Sequence, residues 1–180
     1  MKNTILILAF SFISGSISIA QDVYYTKQAT LQLVGELDGQ LLALQTTQLG
    51  IKLDYETASV IVRFQLSSLK TDIDSINEML KKSKLEVVFD GKLGLEYINT
   101  ENHPPQNFAA EGKLTIGGLE AIIHGDGELL HIGRATDYAC MLKMTIPLNF
   151  KDLSISGLLP GLNDKFEAVI TQALLQKDKN

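Results

Sequence analysis

Short runs in which apolar and polar residues alternate recur along most of the chain, and they constrain its fold more than any other feature. The clearest run, SVIVRFQLSSL at 59–69, puts Val60, Val62, Phe64 and Leu66 on one side and mostly polar residues on the other. Period-two alternation is typical of a strand with one buried face and one solvent-facing side. Such a run can build a packed core or line an apolar cavity, and periodicity does not separate these two interpretations.

Further alternating runs predict an all-β protein with antiparallel strands. They lie at 48–55, 85–90, 92–98, 112–118, 119–124 and 140–150. Between the runs, the Asp-Gly pairs at 38–39, 90–91 and 126–127 predict tight hairpin turns, and 99–107 reads as a polar loop. Many strands joined by tight turns favour an antiparallel sandwich or barrel.

One segment breaks this pattern and predicts a short helix across one end of the sheet. Residues 71–84 place Ile73, Ile76 and Leu80 at helical spacing. Ser75 and Glu78 have the spacing of a capping box, in which each side chain satisfies a backbone N–H at the start of the helix.

The N-terminal segment predicts a cleaved secretory signal at residues 1–20, followed by one domain at 21–180. Lys2 precedes an apolar run from Ile5 to Ile13, and small residues end the segment at Ala20. The apolar run is too short for a bilayer, which needs about 20 residues. We therefore expect a periplasmic or secreted protein without a stable membrane anchor.

The charge pattern argues against a nucleic-acid partner, and the cysteine content excludes an intrachain disulfide. The formal net charge is −5, and the basic residues do not form the cluster expected of a nucleic-acid-binding surface. Cys140 is the single cysteine, so no intrachain disulfide can form, and its apolar neighbours predict a buried, inert thiol.

Catalytic motifs have little support in the sequence. His103, His124 and His131 lack the spacing of metal ligands, and no phosphate-binding loop or nucleophile elbow is recognisable. A weaker hypothesis places His124 and His131 across a hairpin at Asp126-Gly127, where they could hold a metal ion with Glu120 or Glu128. We predict that the protein is not an enzyme and uses no cofactor and no metal.

Two segments resemble the YceI-like family of exported polyisoprenoid- or lipid-binding domains. AEGKLTIGGLEAII at 110–123 matches the family's G-x-L-T-I-x-G segment, and SSLKTDIDSINEMLK at 67–81 matches its S-x-x-T segment before a helix. The chain departs from the family in three places: 24–36 has no histidine, 79–93 lacks a Phe-Phe pair and a proline, and 150–156 replaces a final F-G-I. The resemblance implies a lipocalin-like antiparallel β-barrel with a short helix, enclosing an isoprenoid or a fatty amphiphile.

The C-terminal segment, 164–177, fits both a helix and a strand. Propensity and an apolar stripe favour a helix, whereas the resemblance favours a closing strand. We predict a strand.

The apolar strand face, together with the helix, is the predicted binding site for a hydrophobic small molecule. The alternative is a plugged barrel that acts as a structural or interaction domain of the cell envelope, and the oligomeric state is left open, with a homodimer as one alternative. The predicted ligand-binding residues are Leu53, Val60, Val62, Phe64, Leu66, Ile76, Leu80, Val87, Phe89, Leu95, Leu114, Ile116, Leu142, Met144 and Ile146.

Overall fold

A computed structural model describes residues 23–26, 29–96, 98, 104–132, 138–152 and 161–177, which form ten strands and one α-helix. The strands are β1 (Val23–Thr26), β2 (Ala29–Leu37), β3 (Gln40–Thr46), β4 (Gly50–Asp54), β5 (Ser59–Gln65), β6 (Glu86–Leu93), β7 (Gln106–Ile116), β8 (Leu119–His131), β9 (Tyr138–Asn149) and β10 (Lys165–Lys177). A 3₁₀ turn (Leu66–Ser68) and the helix α1 (Asp74–Lys82) lie between β5 and β6. The predicted signal at residues 1–20 and His103 lie outside the described residues.

Eight of the strands close into an antiparallel barrel. Their order is β1, β4, β5, β6, β7, β8, β9 and β10, and the pairing of β1 with β10 completes the ring. β10 is 13 residues long, so its C-terminal end pairs with β1 while its N-terminal part pairs with β2, which carries β3. The predicted all-β, lipocalin-like antiparallel barrel with a short helix is confirmed.

The C-terminal segment is a strand, and an irregularity explains its ambiguous sequence. β10 pairs with β9 and β2, and its register shifts between Ile170 and Ala173. A bulge of this kind inserts a residue and changes which positions point inward. The buried side chains therefore fall at Phe166, Ile170, Ala173 and Leu175, a spacing that mimics a helical stripe.

The helix is confirmed, but its predicted capping box is wrong. The residue before α1 is Ile73, which has no side-chain cap, and Glu78 instead pairs with Lys81 at 2.7 Å. The chain before the helix is held by Asn77, whose Nδ2 donates to the Thr71 carbonyl at 2.8 Å and whose Oδ1 accepts from the Thr71 N–H at 2.9 Å. This one side chain therefore fixes the segment before the helix to the first turn of α1.

Of the three predicted Asp-Gly turns, the first is confirmed and the other two are wrong. Asp38 and Gly39 join β2 to β3 with φ values of 52° and 75°, as a tight hairpin turn requires. Asp90-Gly91 lies inside β6 and Asp126-Gly127 inside β8. The separate strand predicted at 92–98 is therefore also wrong, because β6 continues to Leu93 and ends there.

These in-strand glycines leave space for aromatic rings inside the barrel. Gly91 and Gly112 are register partners on β6 and β7, and a Cβ atom on Gly112 would lie 2.7 Å from Cε2 of Phe89. Gly127 leaves space for the Phe108 ring in the same way. A glycine inside a strand often marks such a close approach. The Asp-Gly pairs at 90–91 and 126–127 therefore mark places where an aromatic ring packs against a strand, and not turns.

Candidate ligand cavity

The barrel interior is divided into a packed half and a hollow half. The packed half lies toward β1, the start of β5 and the end of β10. Its side chains have no exposed surface; they include Leu53, Val60, Leu129, Cys140, Leu142 and Leu175. The rings of Tyr24 and Tyr55 stack at this end, with centroids 3.9 Å apart.

The hollow half contains an apolar cavity of about 460 Å³. This volume lies within the range of small-molecule sites, about 300–1,000 Å³. Its lining comes from strands around the barrel, from α1 and from the β2–β3 hairpin. The strand residues on its walls include Leu31, Leu33, Leu42, Leu44, Val62, Phe64, Val87, Phe89, Leu114, Ile116, Ile123, Met144, Ile146, Leu148, Phe166, Ala168 and Ile170.

Three exposed apolar side chains mark the opening of the cavity, which we call the mouth. Met79 on α1, Leu85 before β6 and Leu119 at the start of β8 all line the cavity, yet they are 43%, 44% and 41% exposed. Ser83 and Gly117 complete this rim. Large apolar side chains at the edge of an apolar cavity are typical of an entrance for a hydrophobic ligand.

Helix α1 supplies part of the wall near the mouth. Ile76 and Leu80 are buried and point into the cavity, as their helical spacing predicts. Two backbone hydrogen bonds of 2.8 Å join Gln45 of β3 to Lys70, and thereby tie the segment before the helix to the hairpin. The Oγ1 of Thr46 donates to the Oγ of Ser68 at 2.9 Å beside them.

The structure brings eleven of the fifteen predicted site residues together around the cavity. They are Val62, Phe64, Leu66, Ile76, Leu80, Val87, Phe89, Leu114, Ile116, Met144 and Ile146. The other four lie outside the lining: Leu53, Val60 and Leu142 belong to the packed half, and Leu95 follows β6. The binding role of all fifteen residues stays a prediction.

Other cavity residues were missed by the sequence analysis. Leu33 on β2 faces Leu44 on β3, and both line the cavity together with Leu31 and Leu42 of the same two strands. The alternation of β2 carried the signal for its own two leucines. The contribution of β10, including Phe166, was hidden by the ambiguity between helix and strand.

The lining determines what the cavity can hold. Among the described residues that line it, Ser83 alone carries a polar side chain, and Ser83 lies at the mouth. A buried polar group without a hydrogen-bond partner costs roughly 1–3 kcal/mol. The interior therefore suits hydrocarbon, and the polar end of an amphiphile would have to lie at the mouth.

Comparison with known proteins identifies the fold. No family model matches the chain, and no curated protein matches it. A solved structure, a polyisoprenoid binding domain from Saccharophagus degradans implicated in plant cell wall breakdown, aligns with a TM-score of 0.61 at 12% sequence identity. The alignment covers 88% of this chain and 99% of that chain. The chain has the fold of this polyisoprenoid-binding domain. The predicted resemblance to YceI-like domains is confirmed at the level of fold.

The metal-site hypothesis is not supported by the placement of the histidines. His124 and His131 lie on the same strand, β8, and not across a hairpin as predicted. They are seven residues apart, so they point to opposite faces of the strand. His124 faces Glu111 on the outer surface, with Nδ1 3.6 Å from Oε2. Within the described residues, no group of three or more His, Cys, Asp or Glu side chains is placed to hold a metal ion.

No helix among the described residues has the length and apolar character required to cross a membrane.

Cys140 is buried in the packed half, as predicted, and its thiol provides a test of that packing. Burial raises the pKa of the thiol to about 12, and a hydrogen bond with Tyr55 partly opposes this rise. We expect the folded protein to resist alkylation by iodoacetamide at mildly alkaline pH and to react rapidly in urea. Rapid labelling of the folded protein would contradict the packed half.

The same thiol should make stability fall at high pH. In the unfolded chain it ionises near its ordinary pKa of 9.0, whereas in the folded chain it stays protonated until about 12. The unfolded state therefore binds fewer protons in this window, and the free energy of unfolding decreases as pH rises through it. Urea melts of Cys140→Ala should show a shallower decrease than the parent protein, because the variant lacks the thiol whose pKa burial raises.

Proposed function

We propose that the protein is an exported binding protein that holds an apolar chain, an isoprenoid or a fatty amphiphile, inside the hollow half of the barrel. The observation that carries this proposal is the apolar cavity with an exposed apolar mouth. The solved domain of the same fold is described as polyisoprenoid binding, which supports a hydrophobic ligand. The signal-like segment at 1–20 supports export to the periplasm or the medium.

Burial of hydrocarbon would provide the driving force for binding. Removal of apolar surface from water contributes about 25 cal/mol per Å². Confinement of a flexible chain opposes this gain. Because the described residues inside the cavity carry no polar side chain, specificity would come from the size and shape of the hydrocarbon part rather than from its head group.

The alternative, a plugged structural barrel, explains one half of the interior. The fully buried side chains around Leu142 and Leu175 form such a plug. It does not explain why Leu148, Phe166 and Ala168, farther along the same barrel, border open space. The ligand-binding proposal accounts for both halves, with the plug as the floor of the cavity.

A substitution that fills the cavity should weaken binding without unfolding the barrel. Ala168 on β10 lines the cavity, so Ala168→Phe places a ring in the open space. We expect the affinity for cis-parinaric acid, a fluorescent fatty acid, to fall by about tenfold or more, which corresponds to about 1.4 kcal/mol. The measurement is a fluorescence titration, accompanied by a thermal melt.

The matched control is Ala109→Phe. Ala109 is exposed on β7 and lies outside the cavity, so the same change should leave the affinity unaltered. If Ala168→Phe binds the probe as tightly as the control, the cavity is not the binding site. Lipid extraction of the purified parent protein, followed by mass spectrometry, provides an independent test for a co-purified hydrophobic molecule.

A further inference from the structure

We propose that the cavity is a dead-end pocket. Its volume limits the buried part of a ligand to about fifteen carbon atoms. Single-chain amphiphiles of about this length are then the best-matched ligand class, and a longer polyisoprenoid leaves the rest of its chain outside the mouth. This inference rests on the proposed function and adds a limit on the size of the ligand.

The strand register gives the depth of the pocket. On β9, the inward residues Leu148, Ile146 and Met144 line the cavity, whereas Leu142, the next inward residue, is fully buried beneath it. Three alternate residues span four steps of about 3.3 Å, or about 13 Å along the strand. The tilt of barrel strands makes the depth along the barrel axis smaller.

Other strands place the floor at a corresponding position. On β5, Phe64 and Val62 line the cavity, and the next inward residue, Val60, has no exposed surface and lies outside the lining. On β10, Ile170 lines the cavity, whereas Ala173, beyond the bulge, is buried outside it. On these three strands the floor of the cavity is therefore formed by fully buried side chains.

The volume agrees with a short ligand. A water-sized group occupies about 30 Å³ in a liquid, and a methylene group is of similar size. A cavity of about 460 Å³ then holds on the order of fifteen such groups. Because this exceeds what a single straight chain about 13 Å deep would occupy, the pocket also accommodates a bent or methyl-branched chain.

A dead-end pocket makes affinity depend on chain length in two phases. Each added methylene should strengthen binding by about fourfold while it is buried, from about 0.8 kcal/mol per group. Once the pocket is full, further carbons stay in water and add little. The affinity should therefore rise steeply and then level off near about fifteen carbons.

The experiment is a displacement titration of cis-parinaric acid by saturated fatty acids of about eight to about twenty carbons, with the matching alcohols as a second series. We expect both series to level off at the same chain length, because the limit is set by the pocket and not by the head group. A continued rise in affinity through the longest chains would overturn this inference while leaving the proposed function intact. Failure to bind any member, together with failure to bind the probe, would overturn both.

Two lining substitutions should move the plateau in opposite directions. Met144→Ala removes three heavy atoms near the floor, so the plateau should shift to chains longer by about three carbons. Ala168→Leu adds three heavy atoms, so it should shift to chains shorter by about the same number. Leu175→Val, in the packed half, should leave the plateau unchanged. An identical plateau in all three variants would contradict a limit set by the cavity.

Discussion

Replacement of Leu142 by alanine is expected to lower the free energy of unfolding by about 3–5 kcal/mol, the upper part of the range for buried leucines. Leu142 has no exposed surface and lies in the packed half, opposite Leu129 of β8 and Ala173 of β10. The lost side chain leaves a void that its neighbours cannot fill without moving the strands that carry them.

The matched variant is Met144→Ala, two residues along the same face of β9. Met144 is also buried, but it borders the cavity. Since one side of its side chain already faces open space, its removal breaks fewer packing contacts, and we expect a cost smaller by about 1 kcal/mol or more. Urea melts followed by circular dichroism measure both values.

The comparison also tests the division of the barrel. Equal costs for Leu142→Ala and Met144→Ala would mean that both positions are equally well packed, which would contradict a hollow half. Addition of a fatty acid provides a further contrast. A ligand that binds the native state stabilises it according to its concentration and affinity, so the parent protein should melt later with ligand present.

The alternation of residues predicted the strands and their inward faces, but not the boundary between plug and cavity. Leu142, Met144 and Ile146 share one face of β9 and are all buried or nearly so. Period-two spacing specifies the face and not the level along the barrel. That level depends on which side chains of other strands arrive opposite, and these contacts are distant in sequence.

The wall formed by the β2–β3 hairpin was harder to predict for a similar reason. β10 pairs with β1 at one end and with β2 at the other, so β2 and β3 extend the wall at the hollow end. The sequence of β2 alternates like that of any other strand. Its position beside β10 follows from pairing between residues more than 130 positions apart, such as Leu33 and Ala168.

Substitution of Gly112 by valine is expected to lower the free energy of unfolding by about 4 kcal/mol or more, a loss that few single changes cause. A Cβ atom at Gly112 would lie 2.5 Å from the Cα of Gly91 and 2.6 Å from the carbonyl oxygen of Asp90. Both are backbone atoms of the adjacent strand, so the clash cannot be relieved by rotation of a side chain. The Phe89 ring, which lines the cavity, would also be displaced.

A second strand glycine serves to separate the cost of the clash at Gly112 from the ordinary cost of replacing a glycine in a strand. Gly50 on β4 provides the control, because a Cβ atom there meets Cγ of Arg63 at 3.4 Å, an ordinary contact. Gly50→Ala should change stability by less than about 1 kcal/mol, and in the stabilising direction if the backbone conformation suits alanine. The stability loss of Gly112→Ala, measured in the same urea melts, should fall between those of Gly50→Ala and Gly112→Val.

If Gly112→Val folds as stably as the parent protein, the close approach of β6 and β7 is wrong. The explanation for why Asp90-Gly91 does not form a turn would then be wrong as well. Because the glycine pair holds Phe89 at the cavity wall, a destabilised but folded variant should also bind cis-parinaric acid more weakly than Gly50→Ala does.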